Sequence, residues 1–318
     1  AIFSYDNNAF TDNNNTFTTN IAINGSDIYI MPYPIIQLAN NISQIIASNV
    51  TLFNGTIPSS YDLRTYNLIT SIKNQAQGGS CWAFQACAVL ESCILKATNM
   101  TYDLSEENMK NLMALYSLHS YKSMLPNEGG WNEMLFGYLT SWLGPVNETS
   151  DTYDDYSTVS AIMNNLFNIQ NIYVIPRHNF TDNDAIKLAL LNYGAVGTAM
   201  YMYQGYPYYN SYQSSYYYPG DYYGTSYANH AVTIVGWDDN YSKNNFYETP
   251  PGDGAWIVKN SWGTNWGDGG YFYVSYYDSV FASVNSTDTY TIILNDSTKY
   301  DKNYQYDFVC RTDWLLTN

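Results

Sequence analysis

Cys81 closes the run Gln75-Ala-Gln-Gly-Gly-Ser-Cys81-Trp82, where a glycine-rich turn enters a predicted helix. A thiol attacks a carbonyl as its thiolate, so it needs a nearby imidazole and a positive local field. A helix N-terminus supplies that field through its dipole and free N–H groups. Gly78 and Gly79 allow close backbone approach. Gln75 can place a side-chain amide beside the Cys81 backbone N–H, and two such donors make an oxyanion hole. His230, in Asn229-His230-Ala-Val, is the candidate base. Asn260, in Lys-Asn260-Ser-Trp262-Gly, is the candidate that orients it, with Trp262 covering their hydrogen bond. A neutral amide can accept from the imidazole without competing with it for the thiolate.

The elements that must position these groups change character along the chain. Residues 1–57 are Asn/Thr-rich with an apolar stretch from Ile35 to Phe53, read as a polar lead followed by a short helix or strand pair. Ile57-Pro-Ser-Ser-Tyr-Asp-Leu-Arg64 looks like the start of a catalytic domain over 58–283. Helices are predicted from Ser80 to Lys96, from an N-capping Ser105 to about Leu118, from Trp131 to Leu143 and from Asp182 to Asn192. Strands are predicted at 195–200, 231–237, 255–259 and 270–276, short apolar or alternating runs set off by Gly, Asp and Asn. Helices followed by strands give an α+β order. Tyr201 to Tyr227 is a Tyr-, Gly- and Ser-rich segment long enough to suggest a functional loop. Residues 284–318 read as a Ser/Thr/Asp/Asn-rich tail with scattered strands, which could open a following β domain.

With 28 acidic and 12 basic residues, a formal charge of −16 and a pI near 4.2, the chain has no basic stripe for nucleic acid or for an anionic membrane surface. No apolar run approaches a membrane span. A soluble monomer acting on a polypeptide, with no metal or organic cofactor, is expected. There is no initiator Met or signal segment, and eleven Asn-X-Ser/Thr sequons occur; we read the chain as a secreted or cell-surface glycoprotein. The 35 tyrosines are read as compositional bias more than as a ligand surface.

Together the three blocks resemble the papain family of cysteine proteases over roughly residues 59–283. That resemblance implies a two-lobed α+β fold, with a helical lobe and a β-barrel-like lobe flanking a cleft. It implies Cys81 as nucleophile, His230 as acid/base, Asn260 as orienter, Gln75 as oxyanion donor and Trp262 as shield. Gly129, Gly130, Asn229 and Trp262 are the candidate substrate-binding residues, the glycines through strand-like pairing. The family's usual cysteine three residues before the nucleophile is Gly78 here. Its usual partner is also missing, the best match being Glu128-Gly129-Gly130-Trp131. The nucleophile loop is therefore expected to rest on packing and backbone hydrogen bonds. Lys299 to Asp307 resemble the opening of a lectin-like domain that follows such proteases in prokaryotic surface proteins.

Other residues are assigned ordinary roles. Cys87 and Cys93, six apart on a helix, face away from each other and read as inert core thiols. His119 and His178 read as surface histidines and Cys310 as unpaired. Asp154–Asp155 and Asp238–Asp239 read as loop residues, with calcium the lesser option. Two other functions use the same residues: a transpeptidase or cell-wall isopeptidase, and a surface adhesin on a protease-like scaffold.

Overall fold

The computed structural model describes residues 53–114, 125–169, 171–220, 227–282 and 289–294, together with the backbone of four short strands nearer the N-terminus. Those four form two hairpins, β1 (Phe10–Asp12) with β2 (Asn15–Phe17) and β3 (Ile21–Asn24) with β4 (Asp27–Ile30). The Ile35–Phe53 stretch lies outside the described residues except for Phe53, as do His119, Cys310 and the lectin-like match.

From residue 53 the elements are β5 (Ser60–Asp62), α1 (Cys81–Thr98), α2 (Glu106–Leu112), α3 (Asn132–Thr140), β6 (Asn171–Val174), α4 (Asp184–Asn192), β7 (Val196–Met200), β8 (Tyr209–Asn210), β9 (Ser215–Tyr216), β10 (His230–Asp238), β11 (Ala255–Lys259), β12 (Tyr271–Ser275) and β13 (Tyr290–Ile293). The α2 helix begins as expected, with the Ser105 side chain accepting from Asn108 N–H, but it ends at Leu112 rather than near 118. The expected 231–237 and 255–259 strands are β10 and β11.

Helix α1 is buried on nearly every face from Trp82 to Leu95. One side joins a helical core with Met109, Leu135, Tyr138 and Leu139. The other lies on the sheet, where Gln85 Nε2 donates to the carbonyls of Thr198 (2.6 Å) and Val232 (2.8 Å). An amide inside a core would be costly without such partners, so Gln85 fixes how α1 sits on β7 and β10. The helix stops at Asn99, whose left-handed backbone (φ 59°) returns its N–H to Leu95.

The sheet has nine strands in the order β6-β13-β7-β10-β11-β12-β9-β8, with β5 added to the end of β10. It is open: among the described residues it does not close into the barrel-like lobe expected, although the two-lobed α+β architecture holds. An irregularity between Ile234 and Gly236 divides β10. Its first half pairs with β7 and its second with β5, while β11 runs along both. A Cβ at Gly236 would stand 2.2 Å from the Tyr61 carbonyl, so glycine is required there.

Strand β6 was not anticipated, and β13 falls in the stretch where only scattered strands were expected. Tyr290–Ile293 pairs with Asn171–Val174, and Tyr290 also meets Gly197 of β7. Its side chain is fully buried against Phe136 and donates to Gln85 Oε1. The sheet therefore runs past residue 283, where the tail was expected to begin. A four-residue strand inside a Ser/Thr/Asn-rich stretch has too little apolar periodicity to stand out from sequence.

Candidate active site

Cys81 is the first residue of α1 and is partly exposed, whereas Cys87 and Cys93 are buried; all three are free thiols. Burial pushes the Cys81 thiol above its ordinary value, and the backbone N–H groups of Ala231 and Trp82 act against that shift. The Ala231 contact places the sulfur beside the start of β10. His230 opens that strand, paired with Met200 of β7. Its Nε2 lies 2.8 Å from Asn260 Oδ1. An amide oxygen only accepts, so Nε2 carries the hydrogen and Nδ1 is left as the basic nitrogen.

Asn260 immediately follows β11, the neighbour of β10, and its N–H is held by the Gly270 carbonyl. Its Oδ1 also accepts from the Ser261 N–H. Trp262 stacks on the imidazole at 4.6 Å with the planes 25° apart, and Trp266 packs edge-on against Trp262. This apolar cover drives the His230 value down to about 4, with burial the main cause and the Asn260 bond opposing it.

Gln75 is joined to the Asn260 segment through backbone and side chain. Its N–H donates to the Ser261 carbonyl (2.8 Å), Gly263 N–H donates to Lys73, and Asn74 bridges Trp262. Its Oε1 accepts from Ser261 Oγ at 2.6 Å, and one Nε2 hydrogen goes to the Gly78 carbonyl at 2.8 Å. This orients the amide with its nitrogen toward the nucleophile loop and leaves the second Nε2 hydrogen uncommitted by these bonds. Ser261 was not singled out in the sequence, although it lies inside the Asn-Ser-Trp block.

The nucleophile loop is held by more than packing and backbone bonds, which corrects the expectation. Gly79 N–H does donate to the Asn127 carbonyl. In addition, the Tyr153 hydroxyl reaches both the Gln75 carbonyl and Ser80 Oγ. Nothing in the sequence distinguished this tyrosine from 34 others.

Gly129 and Gly130 lie against this loop. A Cβ on Gly79 would stand 2.6 Å from Gly129 N, and one on Gly130 would stand 2.5 Å from Trp82 Nε1. Glycine is thus already required by packing at positions 79 and 130, while Gly129 has a positive φ of 116°. Asn229, expected to bind substrate, spends its side chain on the backbone of Met202, accepting from its N–H at 2.7 Å and donating to its carbonyl at 3.2 Å. It fixes the chain leaving β7 beside His230.

The residues assigned ordinary roles are engaged elsewhere. His178 pairs with Asp182 at the surface (2.7 Å). Asp154 caps its own turn, and Asp239 binds Lys187 and Tyr276. Of the Tyr-rich loop, Tyr209, Tyr216, Tyr217 and Tyr218 are buried, whereas Tyr203, Tyr206 and Tyr212 are exposed. Residues 221–226 lie outside the described residues.

Residues 57–292 match the model of the papain family cysteine protease. The chain belongs to that family. Among curated relatives, a cathepsin L-like protein of Caenorhabditis elegans is 29% identical over 230 residues, covering 70% of this chain and 60% of the relative. Fruit bromelain of Ananas comosus is 30% identical over 218 residues, covering 68% of this chain and 54% of bromelain. Among solved structures, the cysteine protease and lectin-like domains of Cwp84, a surface layer associated protein of Clostridium difficile, superpose with a TM-score of 0.64 at 30% identity. That match covers 77% of this chain and 53% of the other. The chain thus spans between about half and two thirds of the length of these relatives. Cys81, His230 and Asn260, the residues whose geometry is given above, all lie inside the matched span 57–292.

Proposed function

We propose that this papain-family chain is a cysteine endopeptidase that cleaves polypeptides through a thioester acyl-enzyme. The observation that carries the proposal is the His230 Nε2–Asn260 Oδ1 bond under Trp262, which directs a basic Nδ1 away from Asn260 beside a thiol at a helix N-terminus.

The proposed steps balance as follows. Cys81 Sγ attacks the carbonyl carbon while its proton passes to His230 Nδ1. The oxyanion takes hydrogen bonds from the Cys81 backbone N–H, one of the N–H groups a helix leaves without a partner, and from the second Nε2 hydrogen of Gln75. The C–N bond breaks as Nδ1 returns the proton to the leaving amine, leaving a thioester. Water then attacks, giving a proton to Nδ1, and the thiol is reprotonated as the acid departs. Gly129 and Gly130 are proposed to pair with the acyl side of an extended substrate.

We assign the protein to the cell surface or secreted space. The sequons support this, as does the likeness to a surface layer associated relative. No helix among the described residues is long and apolar enough to cross a membrane.

The test is peptide-library cleavage by wild type and by Cys81→Ala, run with and without an added amine. Internal cleavage that vanishes in Cys81→Ala, by at least about 10³-fold, is expected. Acyl transfer to the amine outrunning hydrolysis would replace the peptidase with a transpeptidase, and full biological activity in Cys81→Ala would leave only the scaffold reading.

A further inference from the structure

The nucleophile loop of this chain lacks both cysteines that tether it in papain-like relatives, yet it presents Cys81 and Gln75 in register with His230 and Asn260. The Tyr153 hydroxyl lies 2.7 Å from the Gln75 carbonyl and 2.8 Å from Ser80 Oγ. A carbonyl can only accept, so Tyr153 donates to Gln75 and Ser80 donates to Tyr153. One oxygen therefore bridges the residue that carries the oxyanion amide and the residue that precedes the nucleophile. Gly78 lies inside that bridge: a Cβ there would come 3.1 Å from the Tyr153 oxygen and 2.9 Å from Asn127 Oδ1. A side chain at position 78 would compete with the hydroxyl for this space.

The Tyr153 ring is itself fixed. Phe84 of α1 packs edge-on at 4.7 Å, Lys110 of α2 stands over its face at 5.4 Å, and Glu148 accepts the Tyr153 N–H at 2.8 Å. Lys110 is in turn fully buried, bonded to Glu107 and to the carbonyls of Asp154 and Ser157. Burial raises the phenol to about 12, so it stays a donor over any ordinary working pH.

We propose that Tyr153 is a positioning residue for catalysis, a non-covalent staple that takes the place of the missing disulfide by clamping residues 75 and 80 about Gly78. The inference rests on the peptidase reading. It makes the shape of the loop independent of redox conditions, so among the described residues the one partly exposed thiol of the site is Cys81 itself.

Tyr153→Phe keeps the ring and removes the clamp. The expected result is a fall of about tenfold or more in kcat/KM for a cleaved peptide, carried mainly by kcat. Alkylation of Cys81 by iodoacetamide, which needs the thiolate but no oxyanion hole, should change by less than about twofold. General loosening of α1 would slow both reactions alike. Ser80→Ala, which removes one of the two bonds, should move kcat/KM in the same direction by less, and it serves if Tyr153→Phe does not fold. Adding Gly78→Cys and Asn127→Cys to Tyr153→Phe offers the loop a covalent substitute. Oxidised glutathione would form that bond, releasing two reduced glutathiones, and brief thiol treatment would free Cys81. With the 78–127 bond verified by mass, kcat should recover. Unchanged kcat/KM in both single variants, parallel loss of hydrolysis and alkylation, or no recovery with the bond formed would each overturn the staple. A wild type that cleaves no peptide would instead sink the peptidase reading, whatever Tyr153 does.

Discussion

The two halves of the site are built in different ways. His230 and Asn260 belong to the sheet. One opens β10 and the other follows β11, and the ladder between them sets their separation. Cys81 and Gln75 flank an irregular turn whose shape depends on side-chain bonds and on two strands of backbone touching at Gly79 and Gly129. A ladder distributes its restraint over many equivalent hydrogen bonds, and the core behind it tolerates small adjustments. The turn has a few contacts, each of them different in kind. The sheet half should therefore lose stability before geometry, and the loop half should lose geometry before stability.

With the nucleophile itself left in place, the largest expected effect comes from Gly79→Ala. Its Cβ would press on Gly129 N at 2.6 Å, the Asn127 carbonyl at 2.9 Å and Glu128 C at 3.0 Å, all backbone atoms. Such atoms cannot rotate away, so the loop must move relative to α1. A displacement near 1 Å costs about 10²-fold in rate, and kcat/KM should fall by that much. The matching lesion on the sheet side is Ile234→Ala, a fully buried position in β10. There a cavity should cost about 2–5 kcal/mol of stability, while the folded fraction keeps kcat within a few-fold. Thermal melts and single-turnover kinetics on both variants test the contrast. If Ile234→Ala damaged kcat as severely as Gly79→Ala, the two halves would not differ in the way described.

The same contrast governs what was legible in the sequence. Thr233-Ile-Val-Gly-Trp237 and Ala255-Trp-Ile-Val-Lys259 are runs rich in β-branched and aromatic residues, and the strands fall there. Helix α1 is announced by a run of mostly apolar and small residues after Ser80, interrupted up to Leu95 only by Gln85 and Glu91. His230, Asn260 and Trp262 are adjacent in sequence to the strands that place them, and the structure brings them together. The loop's supports come from elsewhere. Tyr153 and Asn127 lie 73 and 47 positions beyond Ser80, and no spacing rule links a hydroxyl to a carbonyl across such a distance. The place of strand β13 was hidden for a related reason: scattered strands were expected after 284, but nothing local shows that this one joins β6 and β7. The engagement of the Asn229 amide with Met202 was not legible either, since no local pattern links a polar residue beside a histidine to a backbone 27 positions away.

Asn260→Ala sharpens the comparison from the sheet side and should have the smaller effect. The ladder would still place His230, so the ring keeps its position but loses the acceptor that fixes its tautomer and tilt. A loss of roughly tenfold or more in kcat is expected, within the range for removing an orienting hydrogen bond. The accompanying pH shift has a definite sign. Accepting the Nε2–H favours the protonated imidazole, so the bond raises the His230 value against the burial that lowers it to about 4. Without Asn260, burial acts unopposed and the value drops further. The acid limb of kcat/KM, which reports the free enzyme, should therefore lie near pH 4 in wild type and move to lower pH in Asn260→Ala, even as the plateau falls. An acid limb that moves upward would mean that Asn260 does not favour the charged ring.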